Sequence, residues 1–381
     1  MEINYALIYL LMQFFSILYL LLIGIYTFGW FRLKRYKTAG ADPQVFISII
    51  IAARNEEKNI LPCLSSILKQ HYPASLFEVI VVDDQSEDQT AKRVEQFIQE
   101  HKEYKIHLVG IRENERSGKK EAIARGVEKS KGHLLLTTDA DCSMGPEWLK
   151  NMAGFYEKER PAMISGPVSY HGEKGFFQKI QSLEFLSLIA SGAGAASVNA
   201  PIMCNAANLA FEKEAYLKVK EDTTDEKFMS GDDVFLMLKI RKYYGNNSVK
   251  FLKSHEAIVH TFAKKKFGSF LHQRLRWVSK SKGYTNLGII TASLIIYLFN
   301  YLVFAAFILS IWLPGLLVPS LLMLLVKSLI DLPILLGITS FTRKQDLMIW
   351  FPLLQILYIP YISVIGLAGN LVRYSWKGRN G

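Results

Sequence analysis

Hydrophobic and polar positions divide the chain into three stretches. Tyr5 to Phe31 is almost continuously apolar and uncharged, about long enough to cross a bilayer as a helix. From about Val45 to Lys280, short apolar runs alternate with amphipathic segments. From Leu287 the chain is apolar again, with spans expected at about Leu287–Trp312, Pro314–Thr339 and Leu347–Val372. Three such spans would carry the basic tail Arg373–Arg379 away from the middle section, against the usual bias of positive charge, so one of them is open to a re-entrant or interfacial reading.

The middle section predicts strands at Val45–Ala52 (VFISIIIA), Glu78–Val82, Lys105–Gly110 and from Leu134 (LLLTTDADC). Amphipathic helices are expected up to about Gln70, up to about Glu100 and over Glu121–Lys129, with Arg112–Lys120 as a polar loop. That alternation predicts an α/β fold with a mostly parallel, doubly wound sheet. Beyond Trp148 the pattern loosens. Met163–Val168, Met203–Phe211 and His255–Thr261 read as strands, and Ser230–Ile240 and Phe267–Lys280 as helices. Phe176–Ile189 fits a helix on a membrane surface or in a core, and Gly192–Ala196 reads as small and flexible. The expected domains are a membrane helix over 1–31, an α/β domain over 32–280 and a membrane region over 281–381.

Charge and composition refine this picture. Arg32, Lys34, Arg35 and Lys37 follow the first span directly, which puts the α/β domain on the cytoplasmic side of a bacterial-type inner membrane. A cleaved signal peptide fits poorly, since no positive charge precedes the run and no A-x-A site follows it. Half of the 381 residues are apolar and the mean hydropathy is +0.16, as expected of a water-exposed domain between membrane helices. The net charge of +11 suits lipid headgroups and phosphorylated substrates better than nucleic acid in a chain with spans. Cys63, Cys142 and Cys204 are scattered, which points to neither disulfides nor zinc and suits a reducing compartment.

Candidate chemistry sits where strands should emerge from the sheet, the place where open α/β sheets bind ligands. Asp139 and Asp141 follow the Leu134 strand, and two carboxylates so spaced can grip a divalent cation that in turn holds a diphosphate. The competing reading is a solvated turn. Asp83 and Asp84 end the second strand and Glu56 follows the first; taken alone, these are turn or cap residues. Lys119 follows a glycine and can reach a phosphate. Asp232 and Asp233 open a helix; capping explains one of them, and a general base is a role for the other. Gln273, Arg276 and Trp277 share a helix face, offering planar donors for phosphate and a flat wall for a sugar ring, or else a snorkelling interfacial helix. His260 and His272 read as ordinary polar residues rather than metal ligands. Asp331 within a span is costly unless paired, and Lys327 lies one turn earlier.

Seven segments carry a resemblance: IAARNEE at Ile51–Glu57, VVDDQSEDQT at Val81–Thr90, SGKKEAI at Ser117–Ile123, TTDAD at Thr137–Asp141, CNAANLAF at Cys204–Phe211, GDDVFL at Gly231–Leu236 and QRLRW at Gln273–Trp277. In this order the chain resembles family 2 glycosyltransferases of GT-A fold, and within them the membrane-embedded branch of cellulose synthase, hyaluronan synthase and ceramide glucosyltransferase. The resemblance implies transfer of a sugar from a nucleotide-sugar, a UDP-sugar, to a lipid or glycan acceptor with inversion. Asp84, Glu56 and Lys119 would hold the nucleoside end of the donor. Asp139 and Asp141 would bind the nucleotide with Mg2+ or Mn2+, Asp141 more directly. Asp233 would be the base, and Gln273, Arg276 and Trp277 would close over the diphosphate. The family's acidic pair is often Glu-Asp; here it is Asp232-Asp233. A processive synthase that exports its polymer and an inactive scaffold on the same fold are the alternatives. A Rossmann oxidoreductase would need glycines after the first strand, and Ala52–Asn59 has none.

Overall fold

The structure, a computed structural model, describes residues 5–38, 42–112, 115–220, 232–279 and 283–369, with short segments at 375–376 and 379–380. Gly231, the Asp232 side chain, Lys280 and most of the basic tail from Arg373 lie outside the described residues.

The first apolar stretch is one helix, α1 (Tyr5–Arg32). Strand and helix then alternate: β1 (Ile47–Ala53), α2 (Ile60–Leu68), β2 (Phe77–Asp83), α3 (Thr90–Glu100), β3 (Ile106–Gly110), α4 (Lys119–Lys129) and β4 (Leu134–Asp139). Ile47, Ile49, Ile50 and Ile51 of β1 are fully buried, each contributing about 1.5–3 kcal/mol by leaving water. A strand apolar on both faces belongs in the middle of a covered sheet, and β1 lies there. The chain continues through β5 (Ser143–Met144), α5 (Trp148–Glu159), β6 (Met163–Ser165), β7 (Val168–Tyr170), α6 (Gly175–Ser197), β8 (Leu209–Glu212), α7 (Lys213–Lys220), α8 (Asp232–Tyr244), β9 (Val249–Phe251), β10 (Val259–Thr261) and α9 (Phe267–Ser279). The main sheet has the order β3-β2-β1-β4-β8-β6-β9. Its first four strands are parallel, and β8 runs antiparallel to both β4 and β6. A smaller sheet, β5-β10-β7, lies beside it. This is the expected α/β architecture, a doubly wound, mixed sheet of GT-A type.

Four local expectations change. Gly192–Ala196 is not a flexible connection but the continuation of α6. Its small residues permit helix contact: a methyl group added at Gly194 would lie 2.1 Å from the Tyr26 carbonyl oxygen, and one at Gly29 2.2 Å from that of Gly194. Leu183, Leu186, Ala190 and Ala193 are fully buried, so α6 is a packed helix rather than a surface one. The Met163–Val168 run divides at Gly166-Pro167 into β6 and β7, which join different sheets. In Met203–Phe211, only Leu209 onward is strand; Ala206–Asn208 is a tight turn of helix. Finally, α4 begins at Lys119, inside the expected loop, with Gly118 before it at φ +117.

Three further apolar helices follow, α10 (Leu287–Leu309), α11 (Leu317–Thr342) and α12 (Phe351–Ala368). With α1, four helices are long and apolar enough to cross a membrane. The two ends of the bundle are marked by side chains. Tyr9 donates to the Gly315 carbonyl, 3.1 Å away, at one end. At the other, Lys344 pairs with Glu173 of the α/β domain and Lys253 donates to the Trp30 carbonyl at 2.6 Å, capping α1. Both ends of α12 stay beside the α/β domain: Trp350 meets Phe176, with ring centroids 6.3 Å apart, and Gly369 abuts Val278 at the end of α9. Lys327 and Asp331 pair at 2.7 Å. Tyr19 and Gln355 also donate to Asp331, at 2.8 and 3.2 Å. These bonds tie α1, α11 and α12 together, which favours the structural reading of the pair.

Candidate functional site

The strand order of the main sheet reverses between β1 and β4, and the loops after β1, β2 and β4 meet at that crevice. Ala53 stands level with Asp83, and Ala52 with Asp139. Asn55 and Gln85 end their strands in the left-handed region, at φ 51 and 56, and turn the chain sharply. The first two loops interlock. Arg54, 7% exposed, donates to the Asp84 and Gln85 carbonyls at 2.8 and 2.9 Å. Asn55 N–H donates to Ser86 Oγ at 3.0 Å, and Glu56 N–H to Thr90 Oγ1 at 2.8 Å. Arg54 was not singled out in the sequence, yet it fixes the platform on which Glu56 and Asp84 sit.

Asp84 is buried, and its Oδ1 accepts from Gly118 N–H at 3.0 Å. That bond fixes the turn leading into α4 and so places Lys119, the first residue of the helix. Lys119 forms an ion pair with Asp139. Burial works against its charge, but the Asp139 carboxylate outweighs burial and holds the ammonium above its ordinary pKa, with Asp233 adding to the effect and Arg276 opposing it. The Lys119–Asp139 pair thus joins the start of α4 to the end of β4, within range of the charges of Asp233 on α8 and Arg276 on α9.

Carboxylate oxygens of Asp139 and Asp141 and the Cys142 sulfur all lie within 4.8 Å of one another. Burial raises the Asp141 pKa, reinforced by the charges of Asp139 and Glu56 and relieved in part by Lys264 and Lys119. Acids crowded in this way fit a divalent cation, and two carboxylates suit Mg2+ or Mn2+. Cys142 is a poor third donor for either, because these hard cations prefer oxygen to sulfur; burial, then Asp139 and Asp141, raise the pKa of its thiol. Lys264 was passed over in the sequence as one member of a basic run.

Asp233 accepts from Ala206 N–H at 3.3 Å and from Val234 N–H at 3.0 Å, so the tight turn before β8 and the start of α8 hold it. On α9, the Arg276 charge acts against that of Lys119. Trp277 lies against Arg274 and Phe185, and Gln273 accepts from Arg274 at 3.2 Å. Two of the three expected residues of α9, Gln273 and Trp277, thus rest on a fourth, Arg274, which sequence reasoning missed. His260 packs on His171, 5.8 Å between ring centroids, and burial depresses its pKa to about 4; His272 is exposed.

An acidic crevice at the switch point of a doubly wound sheet, with lysine and arginine facing it, defines a phosphate-handling α/β domain. Residues 48–218 match the family described as Glycosyl transferase family 2, and residues 134–363, more than half of the chain, match Glycosyl transferase family group 2. The chain belongs to the family 2 glycosyltransferases. It is 34% identical over 125 residues to the glycosyltransferase AglE of Haloferax volcanii, a stretch that covers 33% of this chain and 40% of AglE. The chain thus spans less than half the length of that relative. It is 24% identical over 223 residues to a dolichyl N-acetyl-alpha-D-glucosaminyl phosphate 3-beta-D-2,3-diacetamido-2,3-dideoxy-beta-D-glucuronosyltransferase of Methanococcus voltae, over 54% of this chain and 68% of that one. The mannosyltransferase PcManGT of Pyrobaculum calidifontis, solved with GDP-Man and Mn2+, has the same fold: TM-score 0.58 at 18% identity, over 94% of this chain and 99% of that one.

Proposed function

We propose that this protein is a membrane-bound inverting glycosyltransferase that moves a sugar from a UDP-sugar to a lipid-borne acceptor at the cytoplasmic face of the membrane. The observation that carries this reading is the cluster at the end of β4, where the carboxylates of Asp139 and Asp141 lie together and Asp139 pairs with Lys119. In this reading Glu56 and Asp84 hold the nucleoside end of the donor, with Lys119 nearby. Asp139 and Asp141 would hold Mg2+ or Mn2+, which supplies charge neutralisation for the diphosphate when bound. The Asp233 carboxylate takes the proton of the acceptor hydroxyl, whose oxygen attacks the anomeric carbon from the face opposite the diphosphate. The bond from that carbon to the β-phosphate oxygen breaks, and the nucleoside diphosphate leaves with its electron pair. Arg276 and Lys119 offset the growing charge, and Gln273 and Trp277 border the acceptor entrance.

A lipid acceptor is supported by the site's position against four membrane-type helices and by the dolichyl-linked substrate in the name of the Methanococcus relative. The test is to incubate membranes containing the protein with radiolabelled UDP-glucose, UDP-GlcNAc and GDP-mannose plus Mg2+ or Mn2+. Label should appear in the lipid extract and disappear with EDTA. Label confined to insoluble polymer would favour a processive synthase instead, and no transfer from any nucleotide-sugar would end the proposal.

A further inference from the structure

Within the α/β domain, α9 carries a buried cation that the transfer chemistry does not use. Arg274 is 3% exposed and forms an ion pair with Glu184 of α6, itself 5% exposed. Its guanidinium lies 4.1 Å from the centroid of the Trp277 ring and 4.7 Å from that of Phe270. Its Nη1 donates to Gln273 at 3.2 Å. Phe185, next in the chain to Glu184, stands 6.2 Å from Trp277 and stacks on Tyr170 at 4.5 Å. The ring of contacts closes: Glu184 to Arg274, Arg274 to Trp277, Trp277 to Phe185. Tyr170 ends β7, which shares the small sheet with β5, the strand that follows Asp141 and Cys142.

Taking two charges out of water offsets most of what their attraction returns, so a buried pair adds little stability over apolar residues of similar volume. A guanidinium does provide fixed directions: planar donors for Glu184 and Gln273, and a flat face for Trp277. We propose that Arg274, anchored by Glu184, is a positioning residue that fixes Gln273 and Trp277 and so presents Arg276 to the leaving diphosphate. This rests on the glycosyl-transfer reading above. Because α6 packs through Gly194 on Gly29 of α1, the anchor also refers α9 to a membrane helix.

The full chain in proteoliposomes tests this, using whichever of UDP-[14C]glucose, UDP-[14C]GlcNAc or GDP-[14C]mannose the wild type accepts. Arg274→Met alone should lower the Tm, since it leaves Glu184 buried and unpaired. The double variant Glu184→Leu/Arg274→Met should regain the Tm. Its kcat per folded enzyme should stay about 100-fold low, with the donor KM within about threefold of wild type, because the loss is one of geometry in the transition state. The charge-exchanged variant Glu184→Arg/Arg274→Glu restores a pair but leaves Gln273 and Trp277 without a guanidinium, and it should stay slow as well. Wild-type kcat in either double variant would overturn the proposal, because a purely structural pair would recover activity together with Tm. If neither double variant folds, Arg274→Lys decides: it should keep the Tm and lose at least about tenfold in kcat, and wild-type kcat would overturn the proposal. A wild type that transfers no sugar would remove the glycosyl-transfer reading along with this one. An active wild type matched by an equally fast variant would remove this one alone.

Discussion

Asp139 and Asp141 are acids that the protein crowds rather than separates. Burial and the neighbouring charges of Asp139 and Glu56 raise the Asp141 pKa. A raised carboxyl pKa means that its favourable contribution to folding is complete below the ordinary aspartate range and is lost as the pH climbs through the raised value. At neutral pH a bound cation should return that loss. Mn2+ is expected to raise the Tm of the wild type in a thermal-unfolding series, and Asp141→Asn to remove most of the increment; an equal increment in both would take Asp141 out of the site. Cys142 is within reach, but its sulfur is a soft donor that hard cations pass over in favour of oxygen. Cys142→Ser should therefore leave the Mn2+ concentration for half-maximal transfer within about threefold, and a larger change would make the thiol a ligand. Residues flanking apolar strands were legible in the sequence because strand ends are places where ligands bind. Arg54, Lys264 and Arg274 were not, because each acts on groups distant in the chain: Arg54 on Asp84 and Gln85, Lys264 on Asp141, Arg274 on Glu184.

The same division holds for elements. β1, β2 and β4 announce themselves as short apolar runs with acids at or soon after their ends, and strand-helix alternation predicts that they lie parallel. α6 does not, because its last turns read as small and flexible when taken alone. Only the approach of α1 explains them, since Gly29 and Gly194 leave no room for a side chain. Ser197 also donates to the Gly29 carbonyl at 2.7 Å across the same contact. Gly194→Ala should therefore force α1 and α6 apart and cost about 1–3 kcal/mol, visible as a lowered unfolding midpoint in detergent. No change would mean that the two backbones have room to spare. The division of Met163–Val168 at Gly166-Pro167 was likewise hidden, because a strand changing sheets keeps one apolar pattern.

For the whole molecule, the sequence marked a water-exposed domain between apolar ends but left the last helix open. The contacts of α12 bear on this. Trp350 at its start and Gly369 just past its end both lie against residues of the α/β domain. On these contacts we propose that α12 does not carry the chain across, in keeping with the basic residues that follow it. A reporter fused after Gly381 should therefore be found on the same side of the membrane as one inserted in the α/β domain, and the opposite side would make α12 a full span. The larger claim is that acids and bases from β4, α4, α8 and α9 form one site for sugar transfer. The most direct measurement pairs transfer rate with nucleotide affinity for Asp233→Asn. The account predicts loss of transfer by more than about 1,000-fold with the Kd for UDP and Mn2+ within about threefold of wild type. Retained transfer, or equal loss of both, would contradict Asp233 as the base and break the account at its centre.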